Sequence, residues 1–220
     1  MTNGTELLGD AVHARLVGMI FTGELPPGAA LSVPALAARL DVSRSPVRES
    51  VQRLIADGLA VHVPHAGAKV VHVDDKTIAD VMAVRELLDG YAAREATEKA
   101  GYDDVTRLRT LLDQQEAKIT GGEPLSDAFL DLEFHTAVRD LAGNSPLSDA
   151  LHRLDTKAHL YNSGLWEHPD NRDLALREHR AIVEAIAVGD ARAAERAASA
   201  HVAALLVRMR RLAATRADAG

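Results

Sequence analysis

The stretch "LAARLDVSRSPVRESVQRLIADGL" (36–59) decides the fold of the first third of this chain. It predicts a short helix that Ser32 can cap, a tight turn at "DVS", and a second helix over about 44–57 that Ser43 or Ser45 can cap. Apolar residues recur at helical spacing in both helices: Leu36, Ala37 and Leu40 in the first, and Val47, Val51, Leu54 and Ile55 in the second. Two short helices around a tight turn are typical of a helix-turn-helix.

The flanking sequence completes a winged version of this motif. Upstream, "ELLGDAVHARLVGMIFTGEL" (6–25) has apolar residues at helical spacing and stops before "PPG". Downstream, "LAVHV" (59–63) and "AKVVHV" (68–73) alternate apolar and polar residues around "PHAG", which predicts a small hairpin. The order helix, helix, turn, helix, hairpin therefore predicts a winged helix-turn-helix domain over residues 1–73.

The remainder of the chain, residues 74–220, reads as helix throughout. Aromatic residues make up only 3% of the chain while Ala and Leu are abundant, which favours helix-on-helix packing over sheet packing. The breaks between segments have turn chemistry, as in "GGEPLS" and "GNSP". The predicted helices are 75–99, 103–119, 126–142, 146–164, 170–188 and 190–215, the last capped by Asp190. The predicted fold class is mainly α, with an all-α antiparallel bundle of about six helices following the winged domain.

Composition limits the function. The chain has no cysteine, which excludes disulfides and thiolate chemistry. No apolar run approaches the roughly 20 residues of a membrane span and the first residues do not resemble a signal peptide, so we expect a cytoplasmic protein without a membrane partner. The net charge is −7, but residues 1–73 carry six basic and six acidic residues. The winged domain is therefore neutral, which is compatible with DNA binding.

The second helix of the motif has the residues of a DNA-recognition helix. Ser45 and Arg48 lie opposite its apolar stripe, and Arg44 stands at its N-terminal end, where Arg can bind guanine or phosphate. Arg39 on the preceding helix can reach the DNA backbone, and the wing tip "HAGAK" offers a glycine turn and Lys69. The alternative from spacing alone is that Arg44 and Arg48 form a solvated helix face.

The stretch 36–59 followed by "HVPHAGAKV" (62–70) resembles the DNA-binding domain of the GntR family of bacterial transcription regulators, most clearly in "VSRSPVRE". The resemblance implies that Arg44, Ser45 and Arg48 contact double-stranded operator DNA, with Gly67 at the wing. A homodimer is expected as well, since one winged domain reads only half of a site and the helices predicted at 75–99 and 103–119 carry more apolar surface than the bundle core can use. The wing departs from the family, which commonly reads like "RGARV" where this chain has "HAGAKV".

A second constellation lies in the helical part. Asp131 and His135, in "DLEFH", are one turn apart and share a helix face. His179 and His201 stand in two other apolar helical patterns. One carboxylate and three imidazoles suit a divalent metal, with zinc expected and nickel or manganese as alternatives. The competing interpretation is that these histidines are ordinary core or surface residues.

Residues 75–215 resemble the helical ligand-binding domain, called FCD, of the FadR-type subgroup of the same family. The resemblance implies that Asp131, His135, His179 and His201 together bind one metal ion, and that a small organic acid binds beside it. Arg85 matches a family arginine that we expect to neutralise the effector carboxylate, with Asn162 also facing the pocket. The alternative for Arg85 is a surface pair with Asp89.

Three functions follow from these observations. The first is a regulator that binds operator DNA as a dimer and senses a small carboxylate at a metal-containing pocket. The second is a metal-dependent enzyme acting on a small organic acid, since such sites can activate water. No spare general acid or base is evident near the four ligands, which argues against it. In the third, the metal is purely structural.

Overall fold

A computed structural model describes residues 3–161 and 165–218 of the chain. Within these residues the fold is helical apart from one antiparallel pair of strands. The chain divides into two compact units, residues 1–74 with 159–161 and the remaining residues. The elements of the first unit are α1 (Asn3–Phe21), α2 (Val33–Leu40), α3 (Arg44–Ala56), β1 (Ala60–Val63) and β2 (Gly67–Val70).

The core of the first unit is built from the apolar stripes that the sequence predicts. All three stripe residues of α2 are buried, as are Val47, Val51 and Leu54 of α3, whereas Ile55 is only half-buried. Helix α1 packs against α3 and contributes Leu16 and Ile20 to the same core. The predicted helix-turn-helix is therefore confirmed, because both helices bury the expected faces.

The serines predicted to cap α2 and α3 stand at the N-cap positions but do not make the expected hydrogen bonds. Ser32 and Ser43 occupy the N-cap positions with extended backbone, but neither side chain makes a capping hydrogen bond. The turn after α2 instead depends on Asp41, whose φ of 54° is left-handed and whose N–H donates to the carbonyl of Ala37. Asp tolerates this conformation better than most residues, so the turn is closed by backbone rather than by serine.

The predicted hairpin forms the wing. Strands β1 and β2 pair in antiparallel register, with Ala60 opposite Val70 and Val63 opposite Gly67. The second strand is also bonded on its other side, because the carbonyl of Ala68 accepts from Leu31 and the N–H of Val70 donates to the carbonyl of Ala29. Segment 29–31 thus fixes the wing from the side away from β1.

The second unit is a bundle of six helices. They are α4 (Asp75–Lys99), α5 (Tyr102–Thr120), α6 (Pro124–Leu141), α7 (Ser145–Tyr161), α8 (Pro169–Ala187) and α9 (Ala191–Asp218). All six correspond to predicted helices, with ends that differ by a few residues; the predicted end of α7 at 164 lies outside the described residues. Asp190 caps α9 as expected, since its Oδ1 accepts from the N–H of Ala193 at 2.9 Å.

Helices α4 and α9 pack closely along much of their length. A Cβ placed on Gly90 of α4 would lie 2.4 Å from Oγ of Ser199 and 3.2 Å from the carbonyl oxygen of Glu195, both on α9. The main apolar cluster lies beside this contact, where α5, α6, α8 and α9 meet around Leu108, Phe134 and Ile182. This arrangement turns the inner faces of α6, α8 and α9 toward one another.

Candidate functional site

Three buried histidines from three helices converge inside the second unit. His135 on α6, His179 on α8 and His201 on α9 each offer a ring nitrogen, and these nitrogens lie within 4.8 Å of one another. The exposed fractions of the three side chains are 7%, 0% and 2%. The bundle therefore unites residues that are far apart in sequence, as a core metal site requires.

Asp131 completes the group. It lies one turn before His135 on α6, with Oδ2 at 3.6 Å from Nε2 of His135 and Oδ1 at 3.5 Å from Nε2 of His179. Its side chain is buried as well. The structure thus brings together all four residues that the sequence singles out as metal ligands. We call Asp131, His135, His179 and His201 the histidine–aspartate cluster.

Two partners orient the imidazoles of this cluster. Nδ1 of His179 lies 3.3 Å from Oε1 of Gln115 on α5, and Nδ1 of His201 lies 2.8 Å from Oε2 of Glu178. Because both partners are acceptors, we assign the proton of each ring to Nδ1. The Nε2 lone pairs of His179 and His201 then face the cluster, and neither atom has a hydrogen-bond partner among the described residues. Carboxylate or amide contacts behind a histidine are typical of metal ligands.

Glu178 is itself fixed from behind by α9. Arg208 donates to both of its carboxylate oxygens, at 2.6 and 2.8 Å. Burial would raise the pKa of Glu178, but the hydrogen bonds from Arg208 and His201 prevail and lower it to about 2. Glu178 therefore stays ionised and remains an acceptor for His201 at any physiological pH.

The imidazoles are kept in the form that binds metal. Burial lowers the pKa of His179 to about 3, and it lowers the pKa of His135 well below its ordinary value, in both cases against the opposing pull of Asp131. Both rings are thus neutral at physiological pH. Unpartnered imidazole nitrogens buried together with the carboxylate of Asp131 fit a divalent cation.

The sequence reasoning missed Gln115, Glu178 and Arg208. Glu178 had one signal, since it directly precedes His179. Gln115 and Arg208 had no such signal. They lie on α5 and α9 and contact residues of α8, and these contacts depend on how the helices are rotated in the bundle.

Arg85 is buried rather than exposed. Its side chain is 1% accessible, and its Nε lies 3.1 Å from Oδ2 of Asp89 and its Nη2 2.8 Å from Oδ1 of Asp155. The pair with Asp89 therefore exists, but the expectation that it is a surface pair is wrong, because the bundle encloses it. Burial would lower the pKa of Arg85, yet Asp155 and Asp89 raise it above its ordinary value. Burial also raises the pKa of Asp89, to about 6.

A small cavity joins this ionic group to the histidine–aspartate cluster. Its lining includes Asp89 and Arg139 together with His135 and His201. Its volume of about 10 Å³ is close to the space that one water molecule needs. Asn162, the other residue expected here, lies outside the described residues.

The predicted DNA-contacting side chains lie on the surface of the first unit. Arg44, Ser45 and Arg48 are exposed on α3, and neither arginine has an ion-pair partner in the described part of the chain. Oγ of Ser45 donates to Oε1 of Glu49 at 3.2 Å. Arg39 differs, because its guanidinium already donates to the carboxylate of Glu24 and would have to leave this partner to bind DNA.

The wing tip presents an exposed basic residue on a defined turn. Lys69 is exposed on β2, and the preceding turn contains His65 and Gly67 with φ of 62° and 87°. A Cβ on Gly67 would meet nothing within 4 Å, so glycine is favoured there by its backbone conformation and not by lack of space. These features are compatible with a wing that approaches DNA.

A winged helix-turn-helix unit followed by a helical unit with a buried histidine–carboxylate cluster is the architecture of a bacterial transcription regulator. A family model for bacterial regulatory proteins of the gntR family matches residues 8–70, and the FCD domain model matches residues 80–204. The chain belongs to the GntR family and carries an FCD domain.

Known proteins agree with this assignment. A "probable D-xylose utilization operon transcriptional repressor" from Paenarthrobacter nicotinovorans is 30% identical, with 89% of this chain and 85% of the relative covered. The transcriptional repressor RspR of Escherichia coli K12 is 26% identical, with 91% and 88% covered. The solved structure of E. coli McbR/YncC has the same fold, with a TM-score of 0.80 at 20% identity over 93% of this chain and 98% of that one.

The family consists of transcription regulators, and this chain is a regulator rather than an enzyme. The alternative of a metal-dependent enzyme is therefore wrong. No described helix is long and apolar enough to cross a bilayer.

Proposed function

We propose that this regulator senses a small carboxylic acid at a divalent metal ion held by the histidine–aspartate cluster. The observation that carries the proposal is the pair of buried, unpartnered Nε2 atoms of His179 and His201, the first of which lies 3.5 Å from the carboxylate of Asp131. Leaving such acceptors buried without a donor costs free energy. A cation satisfies all of them at once, whereas ordinary core histidines would find protein donors.

In this proposal, Asp131, His135, His179 and His201 hold the ion. Zinc suits this set of nitrogen and oxygen donors best, and nickel or manganese are also compatible. The ion would compensate the buried charge of Asp131 and offer its remaining positions to the oxygens of an acid. Glu178 and Gln115 keep the imidazole rings turned toward it.

The charge around the adjoining cavity favours an anionic effector. Arg139 borders the cavity, and Arg85 pairs with Asp89 at its edge and shares the partner Asp155 with Arg139. Arginine binds carboxylates with paired, directional hydrogen bonds. An acid between the metal ion and these guanidinium groups would be held from both ends. We therefore propose that Arg85 and Arg139 together bind the carboxylate of the effector.

In the first unit, we propose that Arg44, Ser45 and Arg48 read the major groove of operator DNA, with Gly67 and Lys69 contacting it through the wing. Arg39 has a smaller role, since it must first release Glu24. Such binding places the protein in the cytoplasm. The two relatives described as repressors support repression as the direction of control.

We also propose a homodimer. Val84 and Leu87 on α4 are large apolar residues with exposed fractions of 46% and 73%, an arrangement that a second copy can cover. The apolar residues of α5 do not add to this face, because Leu108, Leu111 and Leu112 are buried in the core. The expectation that α5 has apolar surface to spare is thus not supported.

Native mass spectrometry with elemental analysis of the purified protein tests the metal and the dimer together. The expected result is a particle of two chains with about one divalent ion per chain. A chelated sample should lose the ion and the response of DNA binding to an acid. Loss of thermal stability with an unchanged response would instead show a structural metal.

A further inference from the structure

Asp155 on α7 is enclosed by two guanidinium groups. Its Oδ1 lies 2.8 Å from Nη2 of Arg85 on α4, and its Oδ2 accepts a 2.5 Å hydrogen bond from Nη1 of Arg139 on α6. All three side chains are buried, with exposed fractions of 0% for Asp155, 1% for Arg85 and 4% for Arg139. Each oxygen of one carboxylate therefore faces a different arginine.

This is the arrangement expected where a protein binds a carboxylate ligand, except that the carboxylate belongs to the chain. Asp89 also pairs with Arg85, but Arg139 turns its other nitrogen to Oγ of Thr136 and toward the ring of His152. In the described part of the chain, Asp155 is the only carboxylate paired with both arginines. We call the two guanidinium groups the arginine seat.

One member of the arginine seat, Arg139, borders the same small space as two members of the histidine–aspartate cluster. The cavity of about 10 Å³ is lined by Arg139 as well as by His135 and His201, and it has room for about one water molecule. A carboxylic acid is larger than that. An acid that reaches both the cluster and the seat must therefore displace something, and the group with the matching charge and shape is the side chain of Asp155.

We propose that Asp155 is an internal ligand of the arginine seat, and that an effector acid binds by displacing it from Arg85 and Arg139. The inference rests on the proposed sensing function and adds its regulation. It makes Arg139 a second anchor for the effector carboxylate. It also couples effector binding to the packing of α7, because an acid in the seat removes the ion pairs that hold Asp155 of that helix.

The packing of α7 localises this change. Leu147 and Leu151, in its first half, are buried against Ala92 of α4 and Ala142. These apolar contacts do not involve the seat and persist when an acid binds. The part of α7 around Asp155, one turn beyond Leu151, is the part that the effector releases.

Competition with an internal ligand weakens the apparent affinity for an acid, because only molecules with an open seat can bind. Asp155→Asn keeps the size of the side chain and removes its charge, so it removes most of the competition. The proposal predicts that this variant, loaded with zinc, binds succinate about tenfold more tightly than zinc-loaded wild type or better. Succinate has one carboxylate for the arginines and a second for the metal ion.

The experiment is isothermal titration of succinate into both zinc-loaded proteins at equal pH and ionic strength, with zinc retention checked by elemental analysis. Asp149→Asn is the matched control, since Asp149 is exposed on the same helix and the change in net charge is identical. Its affinity for succinate should equal that of wild type. Tighter binding by Asp155→Asn alone supports the inference.

Two other outcomes overturn the inference, and they have different consequences for the proposed sensing function. Equal or weaker binding by folded Asp155→Asn excludes the internal ligand and leaves the proposed sensing function standing. Binding by neither protein contradicts the sensing function and this inference together. If Asp155→Asn does not fold, a crystal structure of zinc-loaded wild type with succinate decides. Asp155 separated from both arginines supports displacement, and Asp155 still paired with both excludes it.

Discussion

Nδ1 of His201 lies 2.8 Å from Oε2 of Glu178, and this contact leaves Nε2 of His201 free to face the other two imidazoles of the cluster. Arg208 holds the same carboxylate through both oxygens. The orientation of the His201 imidazole on α9 therefore depends on a carboxylate from α8 that is not itself a member of the histidine–aspartate cluster.

Glu178→Gln tests that dependence. Loss of the charge weakens the hydrogen bond to His201 and leaves Arg208 without its ionic partner, so zinc affinity should fall by about 10- to 100-fold. Competition with a fluorescent chelator measures the change. Glu133→Gln is the control, since Glu133 is exposed between two ligand positions on α6 and should leave affinity unchanged. Equal affinities for the two variants would show that Glu178 does not support the metal.

The pH dependence of stability should reflect the buried imidazole of His179. Its pKa is about 3 in the folded metal-free protein, below the ordinary value of 6.5 in the unfolded chain. The unfolded chain therefore binds more protons between these values, and the contribution of His179 to stability is lost as pH falls from 6.5 toward 3. The slope is about 1.4 kcal/mol per pH unit for one such group.

Other buried groups act in the opposite direction, so the prediction concerns a difference between proteins. Burial raises the pKa of Asp127 to about 7, and a raised carboxyl pKa gives stability that is lost as pH rises. Urea unfolding of metal-free wild type and His179→Gln between pH 4 and 6 isolates the histidine. The wild-type free energy of unfolding should rise more steeply with pH than that of the variant. Parallel curves would mean that His179 is not held neutral by burial.

The close contact of α4 and α9 gives a prediction about stability. Gly90→Ala would push Oγ of Ser199 away and break its 2.8 Å hydrogen bond to the carbonyl of Glu86. We expect a loss of about 1–3 kcal/mol in unfolding free energy, measured with urea. Gly9→Ala, on α1 where an added Cβ meets nothing within 4 Å, should instead stabilise by about 0.5–1 kcal/mol. Stabilisation by both changes would contradict the close packing.

Arg48 tests the recognition helix. It is exposed on α3, opposite the buried stripe, and Arg48→Ala should keep the fold while losing about 1–3 kcal/mol of operator binding. Binding to a fragment chosen by in vitro selection, at one fixed salt concentration, measures the loss. Arg107→Ala is the control, because it removes the same charge from α5. Equal losses would indicate an effect of net charge, and unchanged binding by Arg48→Ala would exclude its role.

The sequence predicts the helices because they depend on local spacing, whereas it is the resemblance to the FCD domain that singles out the four members of the histidine–aspartate cluster. Apolar residues at helical intervals locate α2 and α3 and the six bundle helices, and the four-residue interval between Asp131 and His135 places them on one face. The four members of the cluster come together because each lies on an apolar face that must turn inward. Spacing also predicts Asp190 as a cap.

What the sequence does not predict depends on how helices are rotated and which polar groups meet inside the bundle. Asp155 and Arg139 look like ordinary charged helix residues, yet they are buried against Arg85. Gln115 meets His179 across 64 positions of sequence. Ser32 and Ser43 have the right position for capping and no capping bond. Such pairings arise from tertiary packing, which one chain's periodicity does not encode.

The most direct test of the sensing role compares wild type with Asp131→Ala in three titrations on one preparation, with zinc, with succinate and with operator DNA in the absence of acid. Asp131 contacts two histidines of the cluster and belongs to the second unit, whereas the residues proposed to read DNA belong to the first. We expect Asp131→Ala to bind zinc and succinate much more weakly and operator DNA with nearly unchanged affinity. An equal loss in all three titrations from a folded variant would contradict it and make the cluster a structural element.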